Sequence, residues 1–494
     1  MTSRGLLITG TSSDAGKSLV TTGLCRYFAR QGIDVVPFKS QNMSNNSMVC
    51  ADGGEIGRAQ WLQAVAAGVE PETAMNPVLL KPSSDRRSHV IVRGRPAGTL
   101  EAGEYAHGRQ HLAAAAFQAY RELADGHGLI VSEGAGSPAE INLRSGDYVN
   151  MGLAREFGIP TLVVGDIDRG GVFAALYGTF GLQDQQDAAL IKAFVINKFR
   201  GDESILAPGL DRLTELTGRP FLGVLPWLAG VWIDGEDTLE VGRWSTERSS
   251  TATDASTLRI AAVRLPRLSN VTDLDALAAE PGVDVVMTTD PGTVLAADVV
   301  ILPGSRATIS DLEWLRANGL AAAIQARASV GGTVLGICGG YQMLARTITD
   351  EIESRAGQVP GLGLLPVGVR FHQDKTLRRP DGRWRGHPVR AYEIHHGRAT
   401  VDLAAADLGD DTDHPFLDGV NRGSTWGTMW HGAFENDGFR RAWLTEAAQA
   451  AGSGWQPATG APGFAQRREQ MIDTLADAVA EHLDTEALAR IVGL

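Results

Sequence analysis

Cysteine, basic charge and long apolar runs are all scarce in this 494-residue sequence. The three cysteines, Cys25, Cys50 and Cys338, show no CxxC spacing, which argues against a disulfide framework and favours a reducing compartment. Lysine and arginine total 45 against 58 acidic residues, so the formal net charge is -13. Because nucleic acids and anionic membranes select basic surfaces, this charge predicts neither kind of partner.

The apolar residues are also distributed in short runs. No run approaches the roughly 18–20 residues that cross a bilayer, and the first residues lack the apolar core and cleavage site of a signal peptide. We therefore expect a cytoplasmic protein. The chain is too long for one hydrophobic core, so two or three domains are expected. Self-association is left open by the sequence.

Short apolar runs alternate with longer Ala- and Leu-rich segments, which predicts two successive α/β domains with parallel strands. The predicted strands are Leu6–Thr9, Val35–Phe38, Leu129–Ser132, Thr161–Val164, Ala193–Asn197, Arg259–Val263, Val283–Thr288, Val299–Leu302 and Thr333–Ile337. The predicted boundaries are 1–235 for a doubly wound N-terminal domain, 236–257 for a polar linker, 258–445 for a second α/β domain and 446–494 for a helical extension. In doubly wound sheets, ligands bind at the carboxyl ends of the strands.

The segment GTSSDAGKS, from Gly10 to Ser18, follows the first strand and begins a helix. Such a loop binds phosphates through backbone N–H groups and the positive end of the helix. Lys17 is expected to reach the terminal phosphates and Ser18 to ligate Mg²⁺. The predicted nucleotide contacts here are Thr11, Asp14, Gly16, Lys17 and Ser18. The spacing departs slightly from the standard loop, and a Gly-rich turn with a surface lysine is the structural alternative.

Polar side chains follow three further predicted strands. Lys39 is positioned to stabilise an acyl phosphate or the transferring phosphoryl group. Glu133 stands where a second Mg²⁺ contact is expected, and Asn197 stands where a base-recognising residue would lie. The alternative for each is an ordinary polar residue at a strand end.

The sequence VLGICGGYQ contains a predicted strand, the turn Gly-X-Cys338-X-Gly and a predicted helix. This order is typical of a nucleophile elbow, in which small neighbours permit a strained turn that exposes the nucleophile. The helix N-terminus favours the reactive thiolate. Cys25 and Cys50, without such neighbours, are interpreted as structural.

A nucleophilic cysteine needs a base, and His431 is the candidate because an apolar strand delivers it to a glycine turn. Backbone N–H groups after Cys338 and around Gly304 are expected to form an oxyanion hole. The predicted oxyanion and glutamine contacts are Gly304, Gly339, Gly340 and Gln342.

Together these motifs resemble the cobyric acid synthases of cobalamin biosynthesis over about residues 5–440. The resemblance is carried by GTSSDAGKS, FKSQNMSNNS, EIGRAQ, MNPVLLKP, EGAGSPAEINL, DIDRGG, NKFRGD, LPRLSN, LPGSRAT, GICGGYQML and WHGAFEND. The first half is also similar to dethiobiotin synthetase, and the second half to class I glutamine amidotransferases.

The resemblance implies a reaction that uses ATP, Mg²⁺ and L-glutamine. Adenosylcobyrinic acid a,c-diamide would be amidated at its b, d, e and g carboxylates through acyl phosphates, with ammonia from glutamine. Its implied corrinoid contacts are Gln41, Asn42, Asn45, Ser137 and Asn142. Two alternatives stay open: a cobyrinic acid a,c-diamide synthase, and a phosphate-loop ATPase with an inactive amidotransferase-like domain.

One position departs from the wider amidotransferase pattern. Many class I glutaminases carry a glutamate two residues after the histidine, where this chain has Ala433. Only Cys338 and His431 are therefore carried over as catalytic residues. The sequence does not identify the group that orients the imidazole, and Glu435 and Asp437 are the candidates.

Overall fold

A computed structural model describes residues 4–84, 87–101, 110–231, 257–401 and 413–494, so all but the last residue of the predicted linker lies outside the described residues. The strands are β1 (Arg4–Gly10), β2 (Val35–Phe38), β3 (Gln41–Met43), β4 (Ser47–Val49), β5 (Glu55–Gly57), β6 (Val78–Ser84), β7 (Arg87–Val92), β8 (Arg95–Glu101), β9 (Leu129–Glu133), β10 (Thr161–Asp166), β11 (Ile191–Phe199), β12 (Phe221–Pro226), β13 (Leu258–Val263), β14 (Val283–Thr288), β15 (Val299–Leu302), β16 (Thr333–Ile337), β17 (Thr347–Asp350), β18 (Gly357–Pro360), β19 (Val367–Arg378), β20 (Asp381–Trp384), β21 (His387–Arg390), β22 (Glu393–Val401), β23 (Asp413–Phe416), β24 (Gly419–Arg422) and β25 (Thr425–Thr428).

The α-helices are α1 (Lys17–Arg30), α2 (Arg58–Ala67), α3 (Gln110–Gly126), α4 (Met151–Phe157), α5 (Val172–Gly181), α6 (Gln185–Leu190), α7 (Ala207–Thr217), α8 (Asp275–Ala278), α9 (Pro291–Ala296), α10 (Thr308–Ala317), α11 (Leu320–Ser329), α12 (Gly339–Leu344), α13 (Asp437–Ala451), α14 (Phe464–His482) and α15 (Thr485–Val492). In the part of the chain that the structure describes, none of the helices is both long and apolar enough to span a bilayer. All three cysteines are buried free thiols.

Contacts divide the chain into two compact units, each assembled from separate segments. The described residues of the first unit are 4–44, 50–231 and 468–494, and those of the second are 45–49 and 257–467, without the gaps given above. The domain boundaries derived from the sequence stay predictions. The units defined by contacts have other boundaries, because residues 468–494 belong to the first unit and the short segment Asn45–Val49 to the second.

The first unit is built on a six-stranded parallel sheet in the order β12-β11-β10-β1-β9-β2. Its central strands β1, β9 and β10 are buried over most of their length, because helices cover both faces of the sheet, as in other parallel sheets. The carboxyl ends of β1, β2, β9 and β11 carry the phosphate loop, Lys39, Glu133 and Asn197. The sheet therefore gathers the predicted nucleotide residues at one edge.

Two further features of the first unit were not predicted from the sequence. A four-stranded sheet, β3-β6-β7-β8, stands beside the main sheet. The C-terminal helices pack on α1, where a Cβ on Gly23 would lie 2.8 Å from the carbonyl oxygen of Leu475 in α14. Arg26 and Arg30 of α1 also pair with Asp473, at 3.5 and 2.8 Å. This close packing explains why residues 468–494 belong to the first unit.

The second unit has a seven-stranded sheet in the order β14-β13-β15-β16-β25-β24-β23. The strands from β14 to β25 run parallel, and the β25–β24 and β24–β23 pairs are antiparallel. Beside it are a four-stranded sheet, β18-β17-β19-β22, and the hairpin β20–β21. The predicted α/β class is confirmed in both units. Cys338 follows the central strand β16, and His431 lies shortly after its neighbour β25.

Two candidate active sites

The loop between β1 and α1 has the conformation that phosphate binding requires. Gly16 ends a single 3-10 turn with φ 92°, a left-handed value that glycine adopts without strain. A Cβ on Gly16 would also lie 2.1 Å from Nδ2 of Asn197. That amide donates to the carbonyl of Ala15 at 3.0 Å. The structure therefore brings Asn197 directly onto the phosphate loop and fixes the loop from β11, two strands away from β1 in the sheet.

The other loop residues are placed as follows. The Lys17 ammonium donates to two carbonyls of the loop, at 2.9 and 3.0 Å. The Thr11 amide donates to Val164 of β10 at 2.9 Å, and the Asp14 carboxylate pairs with Arg169 at 2.6 Å. Lys17 and Thr11 thus belong to the loop's own framework, whereas the Asp14 side chain is engaged outside it.

Glu133 is the centre of the site at the ends of β2 and β9. Its side chain is fully buried. One carboxylate oxygen accepts from Ser18 Oγ at 2.9 Å and from Lys39 Nζ at 2.7 Å. The other accepts from Gln63 Nε2 at 2.5 Å. A buried carboxylate requires such partners, because an unpaired charge in the interior is strongly destabilising.

The donor set around Glu133 fits a magnesium ion. The Ser18 hydroxyl and the Glu133 carboxylate supply oxygen ligands of the kinds that Mg²⁺ binds, and Ser18 Oγ and Glu133 Oε1 lie side by side, 2.9 Å apart. Among the described residues no group of three or more histidine, cysteine or acidic side chains is arranged as a metal site. Mg²⁺ at this site would therefore share its coordination with phosphate and water, as is usual for this ion.

Four of the five predicted corrinoid contacts lie in the first unit. Gln41 accepts a hydrogen bond from the buried Tyr148 hydroxyl, which links β3 to the segment after β9. Asn42 donates to a buried glutamine of α2 at 2.9 Å. The Ser137 hydroxyl accepts from a backbone amide at 3.2 Å, and Asn142 is exposed on a 3-10 helix. Asn45 belongs by its contacts to the second unit.

Cys338 lies in a strained turn between β16 and α12. Its φ of 49° and ψ of -109° are unusual for a residue with a side chain, and such a conformation costs about 1–3 kcal/mol. A Cβ on Gly339 would lie 2.6 Å from the Ser305 amide nitrogen, and one on Gly340 only 1.9 Å from the Leu302 carbonyl oxygen. The two glycines therefore let the turn pack directly on the segment after β15. This is the geometry expected of a nucleophile elbow.

His431, the predicted base, is held by a residue that the sequence did not reveal. His431 Nδ1 lies 2.6 Å from Asp273 Oδ2, and the Gly432 amide donates to the other carboxylate oxygen at 2.7 Å. Tyr392 stacks on the imidazole with ring centroids 5.3 Å apart, and the two backbones exchange hydrogen bonds of 3.0 and 2.9 Å. The imidazole is thus fixed by an acid, a ring and a backbone pair.

Neither Glu435 nor Asp437, the two candidates from the sequence, orients the imidazole. Asp437 accepts from the Phe464 amide at 2.8 Å and from Arg440 at 2.6 Å, and Nδ1 of His431 is already bonded to Asp273 rather than to Glu435. The open question of the orienting group is resolved in favour of Asp273. Its carboxylate stands 158 positions before the histidine, a separation at which one sequence offers no pairing pattern.

The electrostatics of His431 favour the imidazolium. Complete burial opposes the charge, but the carboxylate of Asp273 and the sulfur of Cys338 outweigh it and raise the pKa of His431 to about 10. Since Asp273 occupies Nδ1, the other ring nitrogen interacts with Cys338. The three side chains form a chain in which the acid holds a protonated base beside the nucleophile.

The remaining predicted glutamine contacts have distinct surroundings. A Cβ on Gly304 would lie 3.1 Å from Cε1 of His431, so a small residue is needed beside the imidazole. Gln342 is buried, accepts from the Thr308 hydroxyl at 2.9 Å and donates to the Gly397 carbonyl at 3.4 Å. Its amide is therefore bonded within the protein, whereas Gly304 and Gly339 border the site.

Family models match both halves of the sequence. Residues 6–239 match the CobQ/CobB/MinD/ParA nucleotide binding domain, and residues 259–439 match the CobB/CobQ-like glutamine amidotransferase domain. A cobyric acid synthase of Cutibacterium acnes is 60% identical over 493 residues, which cover 99% of each chain. The chain belongs to the cobyric acid synthase family. Others from this family are 55% identical in Mycolicibacterium gilvum (98% of this chain, 96% of the relative) and 54% in Streptomyces coelicolor (99% and 96%).

Membership of the cobyric acid synthase family confirms the resemblance read from the motifs. It also confirms that one chain contains a nucleotide-binding domain followed by a glutamine amidotransferase domain. The full-length match favours this family over a cobyrinic acid a,c-diamide synthase, and a complete Cys338–His431–Asp273 chain argues against an inactive second domain.

Proposed function

We propose that this protein amidates the b, d, e and g carboxylates of adenosylcobyrinic acid a,c-diamide, with one ATP and one glutamine for each amide. The observation that carries the proposal is that one chain contains both a phosphate loop beside a buried Lys39–Glu133 pair and a Cys338–His431–Asp273 chain. This chain matches a cobyric acid synthase over nearly its full length. ATP and glutamine are cytoplasmic metabolites, so we place the reaction in the cytoplasm.

The synthetase step converts a poor electrophile into an acyl phosphate. A corrinoid carboxylate oxygen attacks the terminal phosphorus of ATP, and ADP leaves. Lys17 exchanges its loop carbonyls for phosphate oxygens, and Lys39 stabilises the charge on the transferring group. Ser18 and Glu133 would hold Mg²⁺, which would supply further positive charge at the site of phosphoryl transfer.

The glutaminase step begins with the Cys338 thiolate. Its sulfur forms a bond to the side-chain carbonyl carbon of glutamine, and the oxyanion accepts from backbone N–H groups at Gly339 and near Gly304. His431, held by Asp273, gives a proton to the leaving nitrogen, so that ammonia departs and a thioester remains. The neutral imidazole then takes a proton from water, which hydrolyses the thioester to glutamate.

The two steps meet when ammonia attacks the acyl phosphate. The nitrogen forms the amide bond as phosphate leaves, and a proton is lost. Only unprotonated ammonia has the lone pair for this attack. The reaction therefore needs ammonia to be delivered before it equilibrates with bulk water.

We propose that the corrinoid is bound by polar residues near the ends of β2 and β9: Gln41, Asn42, Asn45, Ser137 and Asn142. Asn142 is flanked by two exposed apolar side chains, Ile141 at 58% and Leu143 at 43% exposure. Apolar groups beside amides suit a ligand with an apolar ring face and a polar rim. These exposed positions support the segment after β9 as part of the corrinoid site.

The proposal is tested by product analysis. The protein, ATP, Mg²⁺ and glutamine are incubated with adenosylcobyrinic acid a,c-diamide, and amides are counted by mass spectrometry. Four successive carboxyl-to-amide conversions are expected. A parallel reaction with cobyrinic acid, whose a and c carboxylates are free, separates the alternatives: amidation confined to a and c would assign the chain to the other synthase. An untouched a,c-diamide would contradict the proposed substrate.

A further inference from the structure

A five-residue segment of the N-terminal sequence, Asn45–Val49, packs with the second unit, and we call it the strap. Three hydrogen bonds hold it on the turn at 269–271. The Ser269 hydroxyl donates to the carbonyl of the strap's first residue at 2.9 Å, and the Val271 amide donates to the Asn46 side chain at 3.2 Å. The Asn270 side chain accepts from the backbone amide of Ser47 in the strap at 2.9 Å. The middle of the strap is buried, so these bonds are shielded from water.

The turn that holds the strap also positions two parts of the glutaminase site. It leads directly into the 3-10 helix Val271–Leu274, which contains Asp273, the hydrogen-bond partner of His431. On its other side, the Ser269 amide donates to the Gly304 carbonyl at 2.9 Å. A displacement of this turn would therefore move the acid that orients the base and the loop expected to receive the oxyanion.

The other end of the strap contacts the opposite side of the same site. Val49 packs in a small apolar cluster with Tyr392 and Ile394. Tyr392 stacks on His431, and the Ile394 carbonyl lies 4.0 Å from Cys338 Sγ. The strap is therefore linked to Cys338, His431 and Asp273, in each case through one intermediate residue.

We propose that the strap is a positioning element that makes glutamine hydrolysis depend on the corrinoid site. The chain runs without a break from the proposed corrinoid contacts Gln41 and Asn42 into the strap, and this inference rests on that proposed function. A corrinoid that binds more tightly when the strap is docked stabilises the docked state. The same state holds Asp273 within hydrogen-bond distance of His431, so corrinoid binding raises the rate of glutamine hydrolysis.

The test weakens the attachment of the strap to the turn at 269–271 without touching a catalytic or proposed binding residue. Ser269→Ala combined with Asn270→Gly removes two of the three bonds, and glycine suits position 270 because its φ is 52°. Asn270→Asp is the matched control, since aspartate keeps an acceptor and tolerates this conformation. Glutamate release is measured with and without corrinoid and ATP, and amide formation is measured with ammonium.

Corrinoid and ATP together are expected to stimulate glutamate release by the wild type and the Asn270→Asp control by roughly fivefold or more, a normal size for coupled sites. In the double variant the stimulation should fall below about twofold, whereas kcat for ammonium-dependent amidation, measured with saturating corrinoid, should not change. Full stimulation in the double variant, or no stimulation in the wild type, would overturn the inference. So would a parallel loss of ammonium-dependent amidation, because a glutaminase positioning element leaves the synthetase intact. A wild type that makes no corrinoid amide even from ammonium would instead refute the proposed function.

Discussion

The two candidate sites hold their charged groups in different ways. In the synthetase site, one buried carboxylate, Glu133, receives hydrogen bonds from three side chains: Ser18, Lys39 and Gln63. In the glutaminase site, the groups form a single line from Cys338 to His431 to Asp273. The first arrangement is a branched network, and the second is a chain without branches.

The difference predicts how each site fails. A branched network keeps some of its bonds when one donor is lost, although the remaining buried charge destabilises the fold. An unbranched chain loses its function when any member is removed, because the nucleophile, the base and the orienting acid act as a unit. Variants in the second site should therefore lower the activity more, and the free energy of unfolding less, than variants in the first.

The largest effect is expected for Asp273→Asn. Loss of the carboxylate removes the charge that holds the His431 imidazolium, and comparable acids in hydrolytic triads are worth about 10⁴-fold in rate. Glutamine-dependent amidation should fall by about that factor, while amidation from ammonium stays at the wild-type level. Rates of amide formation with each nitrogen source check this outcome.

Asp437→Asn is the matched control for this variant. Asp437 is a carboxylate a few positions after the histidine, but it bonds Arg440 and the Phe464 amide instead. Its replacement should leave the glutaminase rate close to that of the wild type. Equal losses in the two variants would show that Asp273 has no special role.

A loss of about 10²–10³-fold is expected for Lys39→Met, because one charged group that stabilises the transition state is removed. Both nitrogen sources should be affected equally, since the acyl phosphate precedes either. The variant also takes the Lys39 ammonium away from the buried Glu133 carboxylate, which should lower the free energy of unfolding by about 3–5 kcal/mol.

The double variant Lys39→Met/Glu133→Gln separates these two effects. With both charges removed, stability should recover, as judged by chemical denaturation, but amidation should not. Recovered amidation in the double variant would contradict a catalytic role for Lys39. A loss confined to the glutamine-dependent reaction would contradict its place in the synthetase.

A smaller effect concerns the pH dependence of glutamine hydrolysis. His431 must be protonated to release ammonia, and its pKa is raised to about 10 by Asp273 and Cys338 against the opposing effect of burial. The acid form therefore persists through neutral pH, and kcat/KM for glutamine should decline only as the pH approaches 10. In Asp273→Asn the residual activity should decline at lower pH. An identical alkaline decline in both proteins would contradict this assignment.

The smallest effect is expected at the proposed corrinoid surface. Ile141→Ser removes one exposed apolar contact, which should cost about 1–2 kcal/mol of binding and raise KM for the corrinoid several-fold. KM for ATP and glutamine should not change. Leu182→Ser, another exposed apolar side chain of the first unit at 53% exposure, is the control. Equal KM values for the corrinoid in the two variants would show that Ile141 is not part of the binding site.

Strands buried on both faces were the part of the fold that the sequence predicted best. The bounds of β2, β15 and β16 agree with the predicted runs, because these strands are buried at every position and are therefore mostly apolar. The bounds of β14 also agree, although this edge strand is partly exposed and contains Asp284. The sheets β3-β6-β7-β8 and β18-β17-β19-β22 were missed. Their apolar runs are short, such as Val78–Leu80 in β6, and the same sheets carry exposed charged residues such as Arg87 and Arg370.

The candidate sites show the same limit. The phosphate loop and the cysteine turn are contiguous, so their spacing alone indicates their chemistry. Gln63 and Asp273 are joined to their partners across 70 and 158 positions. Neither stands in a local pattern, and only the folded chain brings them to Glu133 and His431. The strap was likewise hidden, because its residues lie in a motif of the first half but pack in the second unit.

The most direct test of two separate chemistries in one chain is Cys338→Ala, assayed with ATP, Mg²⁺ and adenosylcobyrinic acid a,c-diamide. The expected result is no amide from glutamine and a wild-type rate from ammonium, because only the ammonia supply has been removed. Amide formation from glutamine at the wild-type rate, or an equal loss with both nitrogen sources, would contradict it.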